Sequence, residues 1–344
     1  MAGIAVIGTG AWGTTLAIIA ARQVEELGAS GDVMLWDHRA ERAAEMERAR
    51  ENALFLPGVG FPSRLRVTAT LAQAVASRDV VLFVTPSQTV RENAHALAPH
   101  LMPGAAVVCA SKGIELGTHQ RLTQVIADVL GDGISVAALS GPNLAAEIVH
   151  GKPAASVIAA ANSDVAERAR AALATPLFRI YTSTDVVGVE LGGALKNIIA
   201  LAVGIIDGLG YGDNAKAAIM TRGLAEIARL ALAAGADPLT LAGLAGLGDL
   251  IATCSSPLSR NRTLGLELAK GRSLDDVLAE RRSVAEGVTT TRAALEMARE
   301  LRVDLPITEQ LSKVLFEGKD VQRVVSDLME RDPKNELEGL RGEE

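Results

Sequence analysis

The amino-acid sequence predicts an α/β fold in which a doubly wound N-terminal domain is followed by an all-helical C-terminal domain. Short apolar runs closed by glycine, proline or polar turns recur through the first half, and helix-length stretches separate several of them. Runs of this kind largely vanish after about residue 185. Strands that alternate with helices indicate βαβ units and a mainly parallel sheet.

The predicted strands are nearly continuous apolar segments, a pattern that fits strands covered by helices on both faces of a sheet. They are Ile4–Ile7, Val33–Trp36, Val80–Thr85, Ala105–Ala110, Val136–Leu139 and Ser156–Ala160. Helices are predicted at Trp12–Leu27 and Thr118–Leu130, between successive strands. The dinucleotide-type α/β domain is therefore expected to cover residues 1–185.

The second half is dominated by one long apolar stretch, Val187–Ile206, whose polar residues are Glu190, Lys196 and Asn197. We predict a central buried helix here, followed by a second helix at Ala217–Ala234. A membrane span is the competing interpretation, but the uninterrupted apolar run is shorter than a span requires and the stretch holds a lysine. The helical domain is expected at 186–332, with a flexible tail at 333–344.

Composition narrows the class of function. The chain has 344 residues, a formal net charge of −7 and a pI near 5.4, which argues against a nucleic-acid surface but allows a local basic pocket. Cys109 and Cys254 are far apart and give neither a disulfide framework nor a metal-binding motif, as expected in a reducing cytosol. Residues 1–21 lack a basic start and are interrupted by glycines. We therefore expect a cytoplasmic protein without membrane insertion or bound metal.

A glycine-rich motif, Gly8-Thr9-Gly10-Ala11-Trp12-Gly13, lies between the first predicted strand and the first predicted helix. In this context the first glycine permits a tight turn, the second allows the backbone to approach a pyrophosphate, and the third lets helix and strand pack closely. The N–H groups at the helix start then face the anion. The motif predicts a Rossmann-type dinucleotide site; a turn without a ligand is the alternative.

The second predicted strand ends at Asp37-His38-Arg39, where a Rossmann domain distinguishes NAD from NADP. An acid at this point accepts hydrogen bonds from the adenosine ribose of NAD, whereas a cation holds the 2′-phosphate of NADP. Asp37 favours the first cofactor, and His38 with Arg39 favours the second. The sequence leaves the choice between NADH and NADPH open.

Two further polar segments follow predicted strands and should lie near the ligand crevice. Lys112, in Ser111-Lys112-Gly113, could hold an anionic substrate or be an ordinary exposed loop residue. Gly141 and Asn143, in Ser140-Gly141-Pro142-Asn143, could offer backbone N–H groups and an amide to a ligand. A turn built from turn-forming residues is the alternative for this second segment.

Lys196 is the one cation in the long apolar helix. Burial of an ammonium costs several kcal/mol, as an order of magnitude, unless the charge is paired or neutralised. A lysine in this setting is either a paired structural residue or a functional one with a tuned pKa, and we favour function. Glu190, six residues earlier, is poorly placed to be its neighbour on the helix.

The segment Gly243–Gly265 combines glycines and leucines with a lone acid, Asp249, and a polar group, Ser259-Arg260-Asn261-Arg262. Asp249 could cap a helix or pair with Lys196. The guanidinium, hydroxyl and amide donors of the polar group suit a phosphate, although a solvated helix start would account for Arg262 alone. We expect the glycines to let the backbone pack closely beside the Lys196 helix.

Taken in order, these motifs resemble those of the NAD(P)-dependent glycerol-3-phosphate dehydrogenases. The resemblance covers about residues 3–320 and is carried by GTGAWG, SKG, SGPN, VELGGALKN, TRGLAEIARL, GLAGLGDL, SRNR and AEG. It implies reduction of dihydroxyacetone phosphate to sn-glycerol 3-phosphate, or the reverse, by hydride transfer. The bacterial members supply phospholipid synthesis and usually prefer NADPH.

The resemblance also implies roles for individual residues. Lys196 would give and take the proton at the C2 oxygen, with Asp249 beside it. Substrate contacts are expected from Lys112, Gly141, Asn143, Lys196, Asp249, Ser259, Arg260 and Asn261. Dinucleotide contacts are expected from Ala11, Trp12, His38, Lys112, Ala145, Arg260, Val284 and Glu286, in addition to Gly8, Gly10, Gly13 and Arg39 above.

Three departures from the family pattern are visible. Ala11 stands where many members have serine, Asn143 stands where serine or threonine is common, and Asp37 precedes His38 where a 2′-phosphate would lie. The alternatives are a related dehydrogenase of a hydroxyacid or sugar phosphate, and a catalytically silent dinucleotide sensor. A homodimer is plausible from the apolar helical domain, and feedback inhibition by product is a further family property.

Overall fold

The computed structural model describes residues 3–131, 133–280, 285–332 and 335–336. The chain forms two compact units, one of Met1–Ser111 with Leu122–Val186 and one of Lys112–Arg121 with Val187–Glu344. The predicted first domain ran without interruption to residue 185, whereas the structure groups the short segment Lys112–Arg121 with the second unit. The predicted tail lies outside the described residues, apart from residues 335 and 336.

The first unit is built on a sheet whose strands, within the described residues, follow the order β3-β2-β1-β4-β5-β6-β7-β8. Neighbouring strands are parallel except for the antiparallel pair β6 and β7. The strands are β1 Gly3–Ile7, β2 Val33–Trp36, β3 Leu65–Thr68, β4 Arg78–Phe83, β5 Ala106–Cys109, β6 Ser135–Ser140, β7 Ala154–Ala159 and β8 Phe178–Ser183. The mainly parallel sheet predicted from the sequence is confirmed.

Two strands were not predicted, and both lie at the edges of the sheet. In β8, the residues alternate between buried and exposed along Phe178–Ser183, and β3 contains the exposed Arg66. Edge strands with one solvated face alternate in polarity, so a search for continuous apolar runs passes over them. The six interior strands coincide with the six predicted ones.

Helices cover both faces of the sheet. They are α1 Ala11–Glu26, α2 Ala40–Ala49, α3 Leu71–Val75, α4 Val90–Leu97, α5 Leu122–Leu130, α6 Ala145–Val149 and α7 Ser163–Leu173. Ile4 and Val6 of β1 pack in the core that holds α1 and α7, while Ala5 and Ile7 pack in the core of α4 and α5. This alternation along one strand is the signature of a doubly wound sheet.

The helix predicted to start at Thr118 begins only at Leu122. His119 has a backbone φ of 57°, which is in the left-handed region and cannot continue a right-handed helix. Both ring nitrogens of His119 contact carboxylates, Glu300 at 2.9 Å and Glu296 at 3.0 Å. The segment that carries Lys112 is thereby tied to a helix of its own unit.

The second unit is helical in its described part from Val187 onward, while the segment Lys112–Arg121 is a non-helical loop. Its helices are α8 Val186–Gly208, α9 Gly212–Ala233, α10 Pro238–Leu241, α11 Asp249–Ser255, α12 Arg260–Ala269, α13 Leu274–Ala279, α14 Glu286–Leu301, α15 Pro306–Glu317 and α16 Val321–Met329. A π-helical turn, Leu244–Gly248, leads directly into α11. The all-helical architecture expected for this half of the chain is confirmed.

Helix α8 is the core of this unit. It spans 23 residues and is long and apolar enough to cross a membrane, so the length argument against a span was wrong. Helix α8 differs from a membrane-spanning helix in its burial, since 94% of its most apolar window lies inside the protein. A second apolar segment, Pro238–Ser255, passes the same length and composition test with 39% buried.

Candidate active site

The glycine-rich loop between β1 and α1 has the geometry that close packing demands. Gly8 has φ +117°, and a Cβ on Gly13 would lie 2.0 Å from the Gly8 carbonyl oxygen. By contrast, a Cβ on Gly10 would meet nothing within 4 Å. Gly8 and Gly13 are therefore required by the turn itself, while the space beside Gly10, at the start of α1 with Ala11 and Trp12, is open to a ligand.

The end of β2 carries the residues on which the cofactor choice depends. Asp37 is buried, whereas the His38 side chain is 61% exposed and Arg39 is exposed. The carboxylate of Asp37 faces inward and accepts hydrogen bonds from Thr9 and Arg42. The acid that favoured NAD is thus engaged within the first unit, and the two residues that favoured NADP are on the surface.

The segment after β6 presents buried polar groups of the same unit. Ser156 Oγ lies 2.8 Å from the Ser140 carbonyl oxygen and 3.0 Å from Asn143 Oδ1. Asn143 Nδ2 is buried and has no hydrogen-bond partner in the described structure. Gly141 has φ +147°, which a side chain would strain. An oriented amide with an unused donor, after a strand of a parallel sheet, is suited to bind an acceptor on a ligand.

In the second unit, four side chains from three segments form a buried polar cluster, Lys112, Lys196, Asp249 and Thr253, called the lysine cluster below. The Lys196 ammonium donates to Asp249 Oδ1 at 2.9 Å and also to the Thr253 hydroxyl. The Thr253 hydroxyl lies 3.2 Å from the same carboxylate oxygen. Lys112 donates to the other oxygen, Oδ2. Residues far apart in the sequence therefore share one carboxylate.

Asp249 is the first residue of α11 rather than its cap. The capping position is Gly248, which has no side-chain cap bond, and both Asp249 oxygens bind lysines. Close packing brings this segment to the Lys196 helix, because a Cβ on Gly192 would lie 2.8 Å from the Ala245 carbonyl oxygen. Of the two interpretations that the sequence left open, the geometry supports pairing with Lys196.

The lysine cluster has two ammonium groups for one carboxylate. The pKa of Lys112 is lowered to about 8, mainly by burial and also by repulsion from Lys196, against the opposing attraction of Asp249. Formally one positive charge is left over in a site with little water. Such a site stabilises an anionic ligand or a developing oxyanion far more than an exposed lysine does.

Asn261 and Ser259 are engaged within the helical unit. Asn261 Nδ2 donates to Asn197 Oδ1 at 2.9 Å, and its Oδ1 accepts from the Gly287 amide at 3.1 Å. Ser259 is the N-cap of α12, and its hydroxyl accepts from the Arg262 amide. Through Asn261, these contacts connect Asn197 with α12 and α14. Asn261 thus holds Asn197, the residue next to Lys196, a contact that the sequence alone did not indicate.

The other residues that the sequence singled out lie in the first turns of helices or outside the described residues. Arg262 makes a two-pronged ion pair with Asp207, at 2.7 Å from Nε and 2.6 Å from Nη2, and is not a merely solvated residue. Arg260, the first residue of α12, is exposed and is attracted to Glu286, the first residue of α14. Val284 lies outside the described residues. Ala145 is the first residue of α6 in the first unit.

Two residues at these sites were missed from the sequence. Thr253 lies four residues after Asp249 on the same helix, and that spacing places both on one face, so the signal was present. Arg42 follows Asp37 by five residues across a strand-to-helix turn, where no periodic pattern relates side chains. The sequence offers no comparable signal for Arg42.

Comparison with known families accounts for almost all of the chain. Residues 3–166 match the family model described as NAD-dependent glycerol-3-phosphate dehydrogenase N-terminus, and residues 185–326 match the corresponding C-terminus. The boundary between the two matches falls close to the start of α8 at Val186. Both halves of the structure therefore correspond to recognised parts of one family.

Individual relatives agree over their full lengths. A glycerol-3-phosphate dehydrogenase [NAD(P)+] from Streptomyces griseus is 50% identical, over 96% of this chain and 97% of the relative. One from Geobacter metallireducens is 49% identical, over 97% and 98%. The crystal structure of a glycerol-3-phosphate dehydrogenase from Coxiella burnetii superposes with a TM-score of 0.91 at 35% identity, over 96% of this chain and 99% of that one.

Proposed function

This chain belongs to the NAD-dependent glycerol-3-phosphate dehydrogenase family, and we propose that it interconverts dihydroxyacetone phosphate and sn-glycerol 3-phosphate with Lys196 as the general acid and base. The observation that carries the residue assignment is the lysine cluster. A single counterion would be enough to bury Lys196 in α8. The buried Asp249 carboxylate instead binds two ammonium groups, and Thr253 adds a hydroxyl.

Reduction of the ketone requires a hydride at C2 and a proton at the C2 oxygen. When bound, NAD(P)H supplies the hydride. The Lys196 ammonium donates the proton, and in the reverse direction the neutral amine accepts it from the alcohol. Asp249 and Thr253 orient the Lys196 nitrogen, and the excess positive charge of the lysine cluster stabilises the oxyanion that develops at C2.

The first unit has the features that a dinucleotide requires. The open space beside Gly10 would admit the pyrophosphate, and the first N–H groups of α1, at Ala11 and Trp12, would hold it. His38 and Arg39 lie at the end of β2, where the adenosine ribose is bound in Rossmann domains. We propose these residues as the dinucleotide contacts, together with Ala145, Arg260, Val284 and Glu286.

The substrate phosphate and hydroxyl need donors in addition to Lys196. We propose that Lys112 and Arg260 supply cationic donors and that Gly141, Asn143 and Ser259 supply neutral ones. The unpartnered Asn143 amide nitrogen supports this assignment, because buried donors without partners are rare in folded proteins. Asn261 contributes through its bonds to Asn197 and Gly287.

The test is turnover of dihydroxyacetone phosphate by Lys196→Met, a change that keeps side-chain length and removes the charge. We expect kcat to fall by about a thousandfold, within the range of general acid catalysis, because the proton donor to the C2 oxygen is lost. The dissociation constant for the dinucleotide, followed by protein fluorescence, should remain within about twofold.

Lys270→Met is the matched control, because Lys270 is the exposed residue that caps the end of α12 and is paired with Glu267. It should leave both quantities unchanged. A near-normal kcat in the Lys196 variant would remove Lys196 from the mechanism. Turnover of keto acids or of other sugar phosphates by the wild type, in preference to dihydroxyacetone phosphate, would contradict the substrate assignment.

We further propose that the enzyme acts in the cytoplasm, supplies glycerol 3-phosphate for phospholipid synthesis and is a homodimer. Cys109 and Cys254 are both buried and form no disulfide, as expected in a reducing compartment. Exposed apolar side chains at Leu239, Ile251 and Leu258 support self-association of the helical unit. Sedimentation velocity of the purified protein distinguishes a dimer from a monomer.

A further inference from the structure

The hydrogen-bonding capacity of the Asp37 carboxylate is fully used. Oδ1 accepts from the Arg39 amide at 2.8 Å and from Arg42 Nη2 at 3.0 Å. Oδ2 accepts from Arg42 Nε at 2.5 Å and from the Thr9 hydroxyl. A carboxylate has about four lone-pair sites, and here four donors occupy them. The side chain is 0% exposed.

These contacts connect the two parts of the dinucleotide site. Thr9 lies between Gly8 and Gly10 in the glycine-rich loop, and its carbonyl oxygen accepts from Asn52 Nδ2 at 2.8 Å. Arg42 lies on the first turn of α2, and its guanidinium packs 5.8 Å from the centre of the Phe55 ring. The position of Asp37 is therefore determined from both sides, and the acid cannot turn outward without breaking this network.

An acid at the end of β2 favours NAD for two reasons. Its oxygens accept hydrogen bonds from the ribose hydroxyls, and its charge repels a 2′-phosphate. In this chain the first reason fails, because Asp37 has no acceptor site left for a hydroxyl. The second is weakened, because the guanidinium of Arg42 forms a two-pronged ion pair with the carboxylate and offsets its charge.

The groups that remain on the surface favour a phosphate. His38 and Arg39 are exposed at the end of β2, next to the start of α2. The contacts of Arg42 with Asp37 and Thr9 use Nε and Nη2, so its Nη1 nitrogen takes no part in holding the carboxylate. With Asp37 and Arg42 counted as a neutral pair, the exposed charges here are Arg39 and, on the first turn of α2, Glu41. The donors left for a phosphate are those of His38, Arg39 and Arg42 Nη1.

We propose that Arg42 determines the dinucleotide specificity of this enzyme: by holding Asp37, it removes the ribose acceptor and commits the site to dinucleotides that carry a 2′-phosphate. Arg42 is a positioning residue in this scheme, since it acts through Asp37. The inference rests on the proposed dinucleotide site at this edge of the first unit.

The test is direct binding of two adenosine fragments, 2′,5′-ADP and 5′-AMP, to the full-length protein by titration calorimetry. The wild type should bind 2′,5′-ADP at least about tenfold more tightly. In Arg42→Ala the freed carboxylate should repel the 2′-phosphate and accept from the ribose, so the preference should fall by about tenfold or more. In Arg42→Ala the Kd of NADPH should therefore rise and the Kd of NADH should fall.

The double variant Asp37→Asn/Arg42→Ala shows whether the effect passes through Asp37. Because the asparagine side chain has no charge to expose, the preference for 2′,5′-ADP should recover by several-fold over Arg42→Ala alone. Arg42→Lys, which keeps a charge but not the two-pronged geometry, should be intermediate and guards against a folding defect in the alanine variant. Arg48→Ala, on the exposed face of α2, is the matched control.

The outcomes separate the two levels of the argument. If the wild type binds neither fragment, the proposed dinucleotide site itself is wrong. If it binds both equally, or if the preference in Arg42→Ala and Arg42→Lys equals that of the wild type, the site stands and the role of Arg42 is overturned. A loss of preference that Asp37→Asn does not restore contradicts the action through Asp37.

Discussion

Asp37 of the first unit and Asp249 of the second are both buried and both bind cations, yet their charge balance differs. Asp37 is matched by a single guanidinium and by neutral donors, and all its acceptor sites are used. Asp249 faces two ammonium groups and a hydroxyl. A one-to-one pair is complete in itself, whereas a two-to-one group has positive charge left for an anion.

The pKa of Asp37 agrees with this picture. Burial raises it, but Arg42 and Thr9 lower it by more, and the net effect is a pKa below the usual value. Asp37 therefore remains ionised and fixed at any pH at which the enzyme works. Its task is structural and electrostatic, while the lysine cluster around Asp249 contains groups whose protonation can change during a reaction.

The largest effect on kcat should come from removing the charge of Asp249. In Asp249→Asn the two ammonium groups lose their shared counterion, and Lys196 loses its orientation. We expect kcat to fall by about a hundredfold to a thousandfold, with a changed pH profile for kcat, because the carboxylate that orients the proton donor and balances the charge of the lysine cluster is lost.

The readouts for this variant are steady-state kinetics from about pH 6 to 9, a range that covers the Lys112 pKa. Asp37→Asn is the internal comparison, because it should change dinucleotide selectivity and leave the pH profile of kcat in place. If Asp249→Asn lowers only thermal stability and keeps the wild-type pH profile, the role of Asp249 is structural.

The same two regions show how far the sequence could be used for prediction. The glycine-rich loop, α8 and the six interior strands follow from local patterns, because glycine positions and apolar runs report backbone requirements directly. Lys196 stood out because an ammonium in an apolar helix needs an explanation. Each of these signals lies within a short stretch of chain.

What the sequence did not indicate depends on contacts between distant residues. Lys112 and Asp249 are 137 positions apart, and no local pattern shows that they share an ion pair. Arg42 beside Asp37 is decided by the angle at which α2 leaves β2. The edge strands β3 and β8 were missed because solvent on one face dilutes their apolar pattern.

A third buried acid, Glu226, is held by neutral hydrogen-bond donors rather than by a direct ion pair. It accepts hydrogen bonds from the amides of Ile307 and Thr308 and from the Thr308 hydroxyl, at the start of α15. Burial raises its pKa to about 7 in spite of these donors. At Glu226 burial therefore outweighs the three neutral donors and the attraction of Arg229, whereas at Asp37 the Arg42 guanidinium and the Thr9 hydroxyl outweigh burial.

This pKa predicts how stability depends on pH. Because the folded-state pKa is raised from 4.5 to about 7, the folded protein binds more protons than the unfolded chain between these values. The contribution of Glu226 is therefore greatest below pH 4.5 and is lost as the pH rises through 7. The expected loss is about 3 kcal/mol, at about 1.4 kcal/mol for each pKa unit.

Urea unfolding at pH 5 and pH 8 measures this contribution, with Glu226→Gln as the variant. The glutamine side chain resembles the protonated acid and should remove most of the difference between the two pH values. Glu309→Gln is the control, since Glu309 is an exposed acid in the first turn of α15. An equal pH dependence in the wild type and in Glu226→Gln would assign it to other groups.

The smallest effect concerns Lys112, whose pKa of about 8 lies closest to working conditions. As the pH rises through this value Lys112 loses its charge, and the excess positive charge that it gives the lysine cluster is lost. KM for dihydroxyacetone phosphate should therefore rise by several-fold, up to about tenfold, between pH 7 and pH 9.5.

Lys112→Arg, which stays charged, should flatten this rise even if its KM at pH 7 is higher. Lys152→Arg, an exposed lysine paired with Glu147, should follow the wild type. A rise that persists unchanged in Lys112→Arg would mean that another group titrates, and the excess charge would then not come from Lys112.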